Sequence, residues 1–144
     1  MKHHNSAENI KTIAVIQTAF IGDIALTIPF LALLKKKYIH SRIVFITTPV
    51  GAELAQAFQE IDTIIIFDKK KHHRSLTSMQ SVAKEIALLS IDIFFIPHTS
   101  LRTNLLCGII RYYAPRPFIS VGYKENSLSW LLTKKTHKMT VGHE

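Results

Sequence analysis

The chain has a single cysteine, Cys107, so no internal disulfide can form, and a reducing compartment is the setting it suits. No GxGxxG follows the first strand-like run and no GxxxxGK[ST] occurs anywhere, which removes the dinucleotide fingerprint and the phosphate loop of nucleotide hydrolases. No Cys/His spacing suits zinc, and His72–His73 inside a lysine run makes a poor metal site. Neither a metal nor a cofactor is therefore expected. Long uncharged runs are missing too: Asp23 divides the most apolar stretch into two runs of 11 residues, 12–22 and 24–34. Each is too short for a bilayer, which takes about 20 helical residues. No small-residue cleavage site follows a compact apolar core near the amino end, so a signal peptide is not expected. Acidic residues are scarce, 10 against 18 basic ones, and the net charge of +8 predicts an anionic partner.

What is present is apolar and alternating. At 144 residues with 47% apolar content, the chain has one domain's worth of core. Ile13–Gln17, Ile43–Thr47, Asp62–Phe67, Ile91–Ile96 and Phe118–Val121 read as short buried strands. Between them lie helical patterns. Leu26, Phe30, Leu33 and Leu34 mark the first, which Pro29 would kink or begin. Val50, Leu54 and Phe58 mark the second, with Thr48 as cap and Pro49 at its first position. Leu76, Met79, Val82, Ala83, Ile86 and Leu89 mark the third behind Ser75, and Leu101, Leu105 and Ile109 the fourth behind Thr99 or Ser100. Cys107 falls inside that last pattern and reads as core. Such alternation predicts an α/β fold, an open doubly wound parallel sheet of about five strands.

Asp23 is the only acidic residue between Lys11 and Glu53. The loop after the first strand would place it at the carboxyl edge of the sheet, where open α/β folds hold their ligands. Two readings stand side by side: Asp23 caps the following helix, or its carboxylate does chemistry. Basic residues gather at Lys69–Lys70–Lys71–His72–His73–Arg74 and at Lys35–Lys36–Lys37. No helix collects arginines on one face and no RNA-binding aromatic motif occurs, so a nucleic-acid-binding domain is the weaker alternative and no nucleic acid partner is expected.

The run GlnThrAlaPheIleGlyAspIleAlaLeuThrIlePro (Gln17–Pro29) resembles the start of bacterial glycosyltransferase family 9, the ADP-heptose:lipopolysaccharide heptosyltransferases. The match lies in Thr18, Gly22, Asp23, Thr27 and Pro29. Val44–Leu54, Ile66–Lys70, Pro97–Leu106 and Ser120–Tyr123 resemble later blocks of that family in the same order. The resemblance implies a Rossmann-like domain forming the amino-terminal, acceptor-side half of a GT-B architecture. It divides the chain into a flexible tail (1–11), the Rossmann-like domain (12–123) and an irregular segment (124–144) leading toward a donor domain, for whose residues no positions are found here.

By that resemblance the activity is transfer of a heptose from ADP-heptose to the lipopolysaccharide inner core, with inversion. Asp23 would be the catalytic base. Thr18 and Gly22 would orient the acceptor, and Lys69, Lys70, Lys71, Arg74, His98 and Arg102 would hold its anionic groups. The expected location is cytoplasmic, at the anionic cytoplasmic face of the inner membrane. Self-association through an uncovered cleft face is a further expectation. The rival to all of this is a truncated, catalytically inactive product.

Overall fold

The computed structural model describes residues 9–68, 70, 75–97, 100–123 and 134–136. The elements are β1 (Thr12–Gln17), α1 (Ile21–Lys37), β2 (Arg42–Thr47), α2 (Pro49–Ala55), β3 (Thr63–Ile66), α3 (Leu76–Ala87), β4 (Ile93–Ile96), α4 (Leu101–Tyr113), β5 (Ile119–Tyr123) and β6 (Lys134–Thr136). All pair in parallel in one sheet of order β3-β2-β1-β4-β5-β6. β6 adds a strand within the segment read as irregular from the sequence. The sequence also suggests a short helix around Ser127–Leu132, and those residues lie outside the described ones.

The six residues of β1 are all buried, as a central parallel strand covered on both faces must be. Alternation assigns its side chains to two layers. Ile13 and Val15, with Ile43 and Phe45 of β2, pack against Ile24, Leu31 and Leu34 of α1 and Ala55 of α2. Ala14, Ile16, Val44 and Ile46 face the opposite layer, built from Met79, Val82 and Ile86 of α3 and Leu106, Cys107 and Ile110 of α4. The sheet is therefore doubly wound, as the sequence predicts.

Three helices turn differently from their expected stripes. α1 buries Ile24, Thr27, Ile28, Leu31 and Leu34 and leaves Leu26 and Leu33 exposed, and it runs through Pro29. α2 buries Gly51, Ala52 and Ala55, while Val50 and Phe58 are exposed. α4 buries Thr103, Asn104, Leu106, Cys107 and Ile110, with Leu101 and Leu105 outside. These helices carry apolar residues on both faces, so more than one stripe satisfies the helical period. In α3 the expected stripe holds from Met79 to Ile86, although Leu76 is exposed.

Two aspartates fasten the amino edge of the sheet. Asp92 Oδ2 accepts hydrogen bonds from the backbone N–H groups of Lys11 (2.8 Å) and Thr12 (2.9 Å), and its Oδ1 pairs with Arg116 at 2.8 Å. Asp62 Oδ2 accepts from the Ile43 N–H at 2.7 Å and from Lys35 Nζ at 3.0 Å. Each carboxylate sits just before its own strand and binds the first amides of the neighbour, which fixes parallel register.

Candidate active site

The order β3-β2-β1-β4-β5-β6 reverses direction between β1 and β4. From β1 the chain winds toward β2 and β3; from β4 it winds the other way. The loops leaving these two strands must diverge, and the crevice they leave is where ligands bind in open α/β sheets.

The loop after β1 is held from inside. Gln17, buried at the strand end, donates its Nε2 to Thr27 Oγ1 (3.2 Å), and its Oε1 accepts the Ala19 N–H at 3.2 Å. Thr27 in turn donates to the Asp23 backbone carbonyl at 2.8 Å. Strand end, loop and first helical turn thus form one hydrogen-bonded unit. Thr18 is 3% exposed, and among the described residues its hydroxyl has no hydrogen-bond partner. It faces inward, and its side chain closes the loop rather than presenting itself to solvent.

The N-cap of α1 is Phe20, whose side chain gives no capping bond. Asp23 is three residues further on, in the first turn, so the capping reading of Asp23 is corrected. At that position a carboxylate is still favoured by the helix dipole. Asp23 is exposed, and among the described residues its carboxylate makes no hydrogen bond or ion pair. Gly22 is exposed beside it, with no atom within 4 Å of where a Cβ would stand. Its backbone is ordinary helix, so what glycine leaves there is open space in front of the first turn.

Arg102, half-buried, lies in the first turn of α4, directly across the crevice from the β1 loop in strand order. Lys70, exposed, follows β3. It shares the carboxyl edge but stands two strands from β1, about 10 Å away at the usual strand spacing. The sheet therefore brings Thr18, Gly22, Asp23 and Arg102 to the switch point and leaves Lys70 at the rim. Lys69, Lys71, Arg74 and His98 lie outside the described residues.

Four residues of this region escaped the sequence reading as parts of the site. Gln17 was visible as the one polar residue ending an otherwise apolar strand, and Thr27 as a hydroxyl one turn after Asp23. Phe20 is 85% exposed and Ile21 is exposed next to it. Large apolar residues at a loop–helix junction beside a carboxylate are the signal that could have found them. Among the described residues no cluster of His, Cys, Asp and Glu could hold a metal ion. No helix among them is long and apolar enough to cross a membrane.

No family model and no curated protein matches the chain. Solved structures do. A glycosyl transferase family 9 protein from Veillonella parvula matches with a TM-score of 0.75 and 30% identity, over 88% of this chain and 36% of that one. The E. coli heptosyltransferase WaaC with ADP-2-deoxy-2-fluoro heptose matches with a TM-score of 0.69 and 13% identity, over 92% of this chain and 44% of that one. The same enzyme with ADP gives 0.71 and 12%, over 92% and 42%. The chain thus spans less than half the length of the structures it matches. Its parallel sheet, wound on both sides around β1, has the heptosyltransferase-like, Rossmann-type fold of glycosyltransferase family 9.

Proposed function

We propose that this chain is the acceptor-side domain of an inverting glycosyltransferase that moves a heptose from ADP-heptose to the lipopolysaccharide inner core. The observation that carries the reading is Asp23: an exposed carboxylate without a protein partner among the described residues, at the switch point of a family 9 fold. A carboxylate held ready in that way suits a general base.

In this reaction the acceptor hydroxyl gives its proton to Asp23 as its oxygen attacks the anomeric carbon. The bond from that carbon to the diphosphate breaks on the opposite face, and ADP leaves with the electron pair. In-line displacement inverts the anomeric centre, and a base of this type contributes about 10²–10⁴-fold. The open space beside Gly22 admits the acceptor ring, and the exposed Phe20 offers it an apolar face. Arg102, together with His98 four residues earlier in the sequence, binds acceptor anions. Lys70 attracts them from the rim, and Lys69, Lys71 and Arg74, its neighbours in the sequence, add positive charge to the same acceptor. Thr18 acts through the loop conformation. The partners proposed are the lipopolysaccharide acceptor and the anionic cytoplasmic face of the inner membrane. The protein works as a peripheral cytoplasmic one, and self-association is part of the same proposal.

A second reading, a folded chain without transfer activity, draws on the coverage of less than half of each matched structure. One assay separates the two. ADP-heptose and an inner-core acceptor are incubated with the chain alone and with the chain joined to a family 9 donor domain. Product in either arm that disappears on Asp23→Asn supports the transferase. Acceptor binding without product in both arms supports the inactive reading. Neither binding nor product rejects the acceptor-side assignment.

A further inference from the structure

α1 breaks the pattern of a surface helix. Its inner face is buried by Ile24, Ile28, Leu31 and Leu34, yet its outer face is also apolar. Leu26 is 78% exposed and Leu33 64%, with Pro29 exposed between them. Positions 26, 29 and 33 fall on one line along a helix, and Lys36 and Lys37 continue it. Beyond the helix end, Ile39 is 67% exposed. Pro29, Ala32, Leu33, Lys36, Ile39 and Glu60 line a groove of about 640 Å³ on this side. A helix apolar all round is normally covered on every side.

The charges on this face indicate what covers it. Lys35 is engaged with the Ser41 carbonyl (2.8 Å) and Asp62 (3.0 Å). Lys36 and Lys37 are exposed and make no ion pair among the described residues; Lys37 lies 5.4 Å from the Tyr38 ring centroid. Among the described residues Glu60 is the only acid lining the groove. An apolar ridge ended by free lysines suits the boundary of an anionic bilayer. There the leucines enter the acyl edge, and the lysine stems lie along it with their ammonium groups among the phosphates. A second copy suits the face less well, because it would bring together two chains of net charge +8.

We infer that the outer face of α1, from Leu26 to Ile39, is the surface by which this protein docks on an anionic lipid bilayer. Docking lays α1 along the membrane. Asp23 is then about 20 Å along the helix from Lys36, at 1.5 Å per residue. An acceptor anchored in the same bilayer reaches the crevice without leaving the lipid. The inference deepens the membrane reading given above, but the surface can be tested without any sugar substrate.

The test is co-sedimentation of the full chain with vesicles of phosphatidylcholine alone and of phosphatidylcholine with an equal part of phosphatidylglycerol, at low and high salt. Wild type should pellet with the anionic vesicles at low salt and stay in solution with the neutral ones. Leu26→Gln with Leu33→Gln, and separately Lys36→Gln with Lys37→Gln, should each weaken binding about tenfold or more. Thermal unfolding should be unchanged, since these side chains are exposed. No binding by wild type, or equal binding by both double variants, overturns the inference. So does a sedimentation-velocity result in which the leucine substitutions dissolve a dimer and leave vesicle binding intact. Transfer to a soluble acceptor, measured in parallel on the chain joined to a donor domain, reports on the glycosyltransferase reading separately.

Discussion

The Gln17 amide reaches the Thr27 hydroxyl at 3.2 Å, and that hydroxyl donates to the backbone carbonyl of Asp23 at 2.8 Å. Asp23 thus stands on a turn braced by a buried polar pair, while its own carboxylate is left to solvent. Support and chemistry are carried by different residues and can be separated by mutation.

Thr27→Val removes the shared hydroxyl and leaves the buried Gln17 amide short of a partner. It should lower unfolding stability by about 1–3 kcal/mol, read as a shift in the urea midpoint at constant slope. Asp23→Asn, on an exposed site, should leave the same midpoint within about 0.5 kcal/mol.

The kinetic counterpart is measured in the chain joined to a donor domain. Asp23→Asn should lower kcat by about 10²-fold or more with acceptor affinity kept. Lys70→Ala with Lys71→Ala should raise the acceptor KM and flatten its salt dependence with kcat nearly unchanged. The proton moves only in the transition state, whereas the lysine charges act throughout. An unchanged kcat for Asp23→Asn would remove Asp23 from the chemistry.

Gly51 is needed for a steric reason. A Cβ there would stand 2.1 Å from Thr47 Oγ1 and 3.0 Å from Ile24 Cδ1, in the tight seam between α2, β2 and α1. Gly51→Ala should cost about 1–3 kcal/mol despite alanine's better helix propensity. Thr47→Ala added to it should restore part of the loss, because the Thr47 hydroxyl makes no hydrogen bond among the described residues. Chemical denaturation of the two single variants and the double variant checks this.

Cys107 titrates late. Burial pushes its thiol from the ordinary 9.0 up to about 11, against smaller lowering effects of the Ser120 hydrogen bond and the Arg111 charge. The unfolded thiol ionises first, so between these values the unfolded state holds fewer protons than the folded one. This contribution to stability is whole below pH 9 and is lost as pH rises toward 11, by about 2–3 kcal/mol at most. The slope of stability against pH should be shallower in Cys107→Ala over that window. In the native wild type, alkylation at pH 8 should be slow and should accelerate in denaturant.

The sequence showed most clearly those features that a single local rule decides. β-branched runs placed β1 and β2 within a residue of their observed bounds, and Thr48 and Ser75 do cap α2 and α3, accepting from Gly51 and Ser78. Asp23 stands out as a candidate in the sequence because a lone carboxylate in an apolar stretch is conspicuous. Its capping alternative failed because Phe20 begins the helix without any side-chain bond, a start that no propensity rule would select. The inward faces of α1, α2 and α4 depend on which side of an all-apolar helix meets the sheet, and tertiary packing decides that. β6 has two lysines in three residues and offers no strand pattern to read; pairing with β5 makes it a strand.

The place of β1 in the sheet has a consequence for the chain during its synthesis. Ile13 is flanked by Ile43 on one side and by Ile93 on the other. The first neighbour emerges from the ribosome soon after β1, the second only after all of α3. In the interval β1 is an edge strand, apolar from Ile13 to Ile16 and open along one side, a template for mispairing with another nascent chain. Arrival of β4 ends that exposure and, in the same event, forms the second wall of the crevice. Aggregation risk and absence of the site therefore share one window of translation, and a pause before Ile93 would lengthen both.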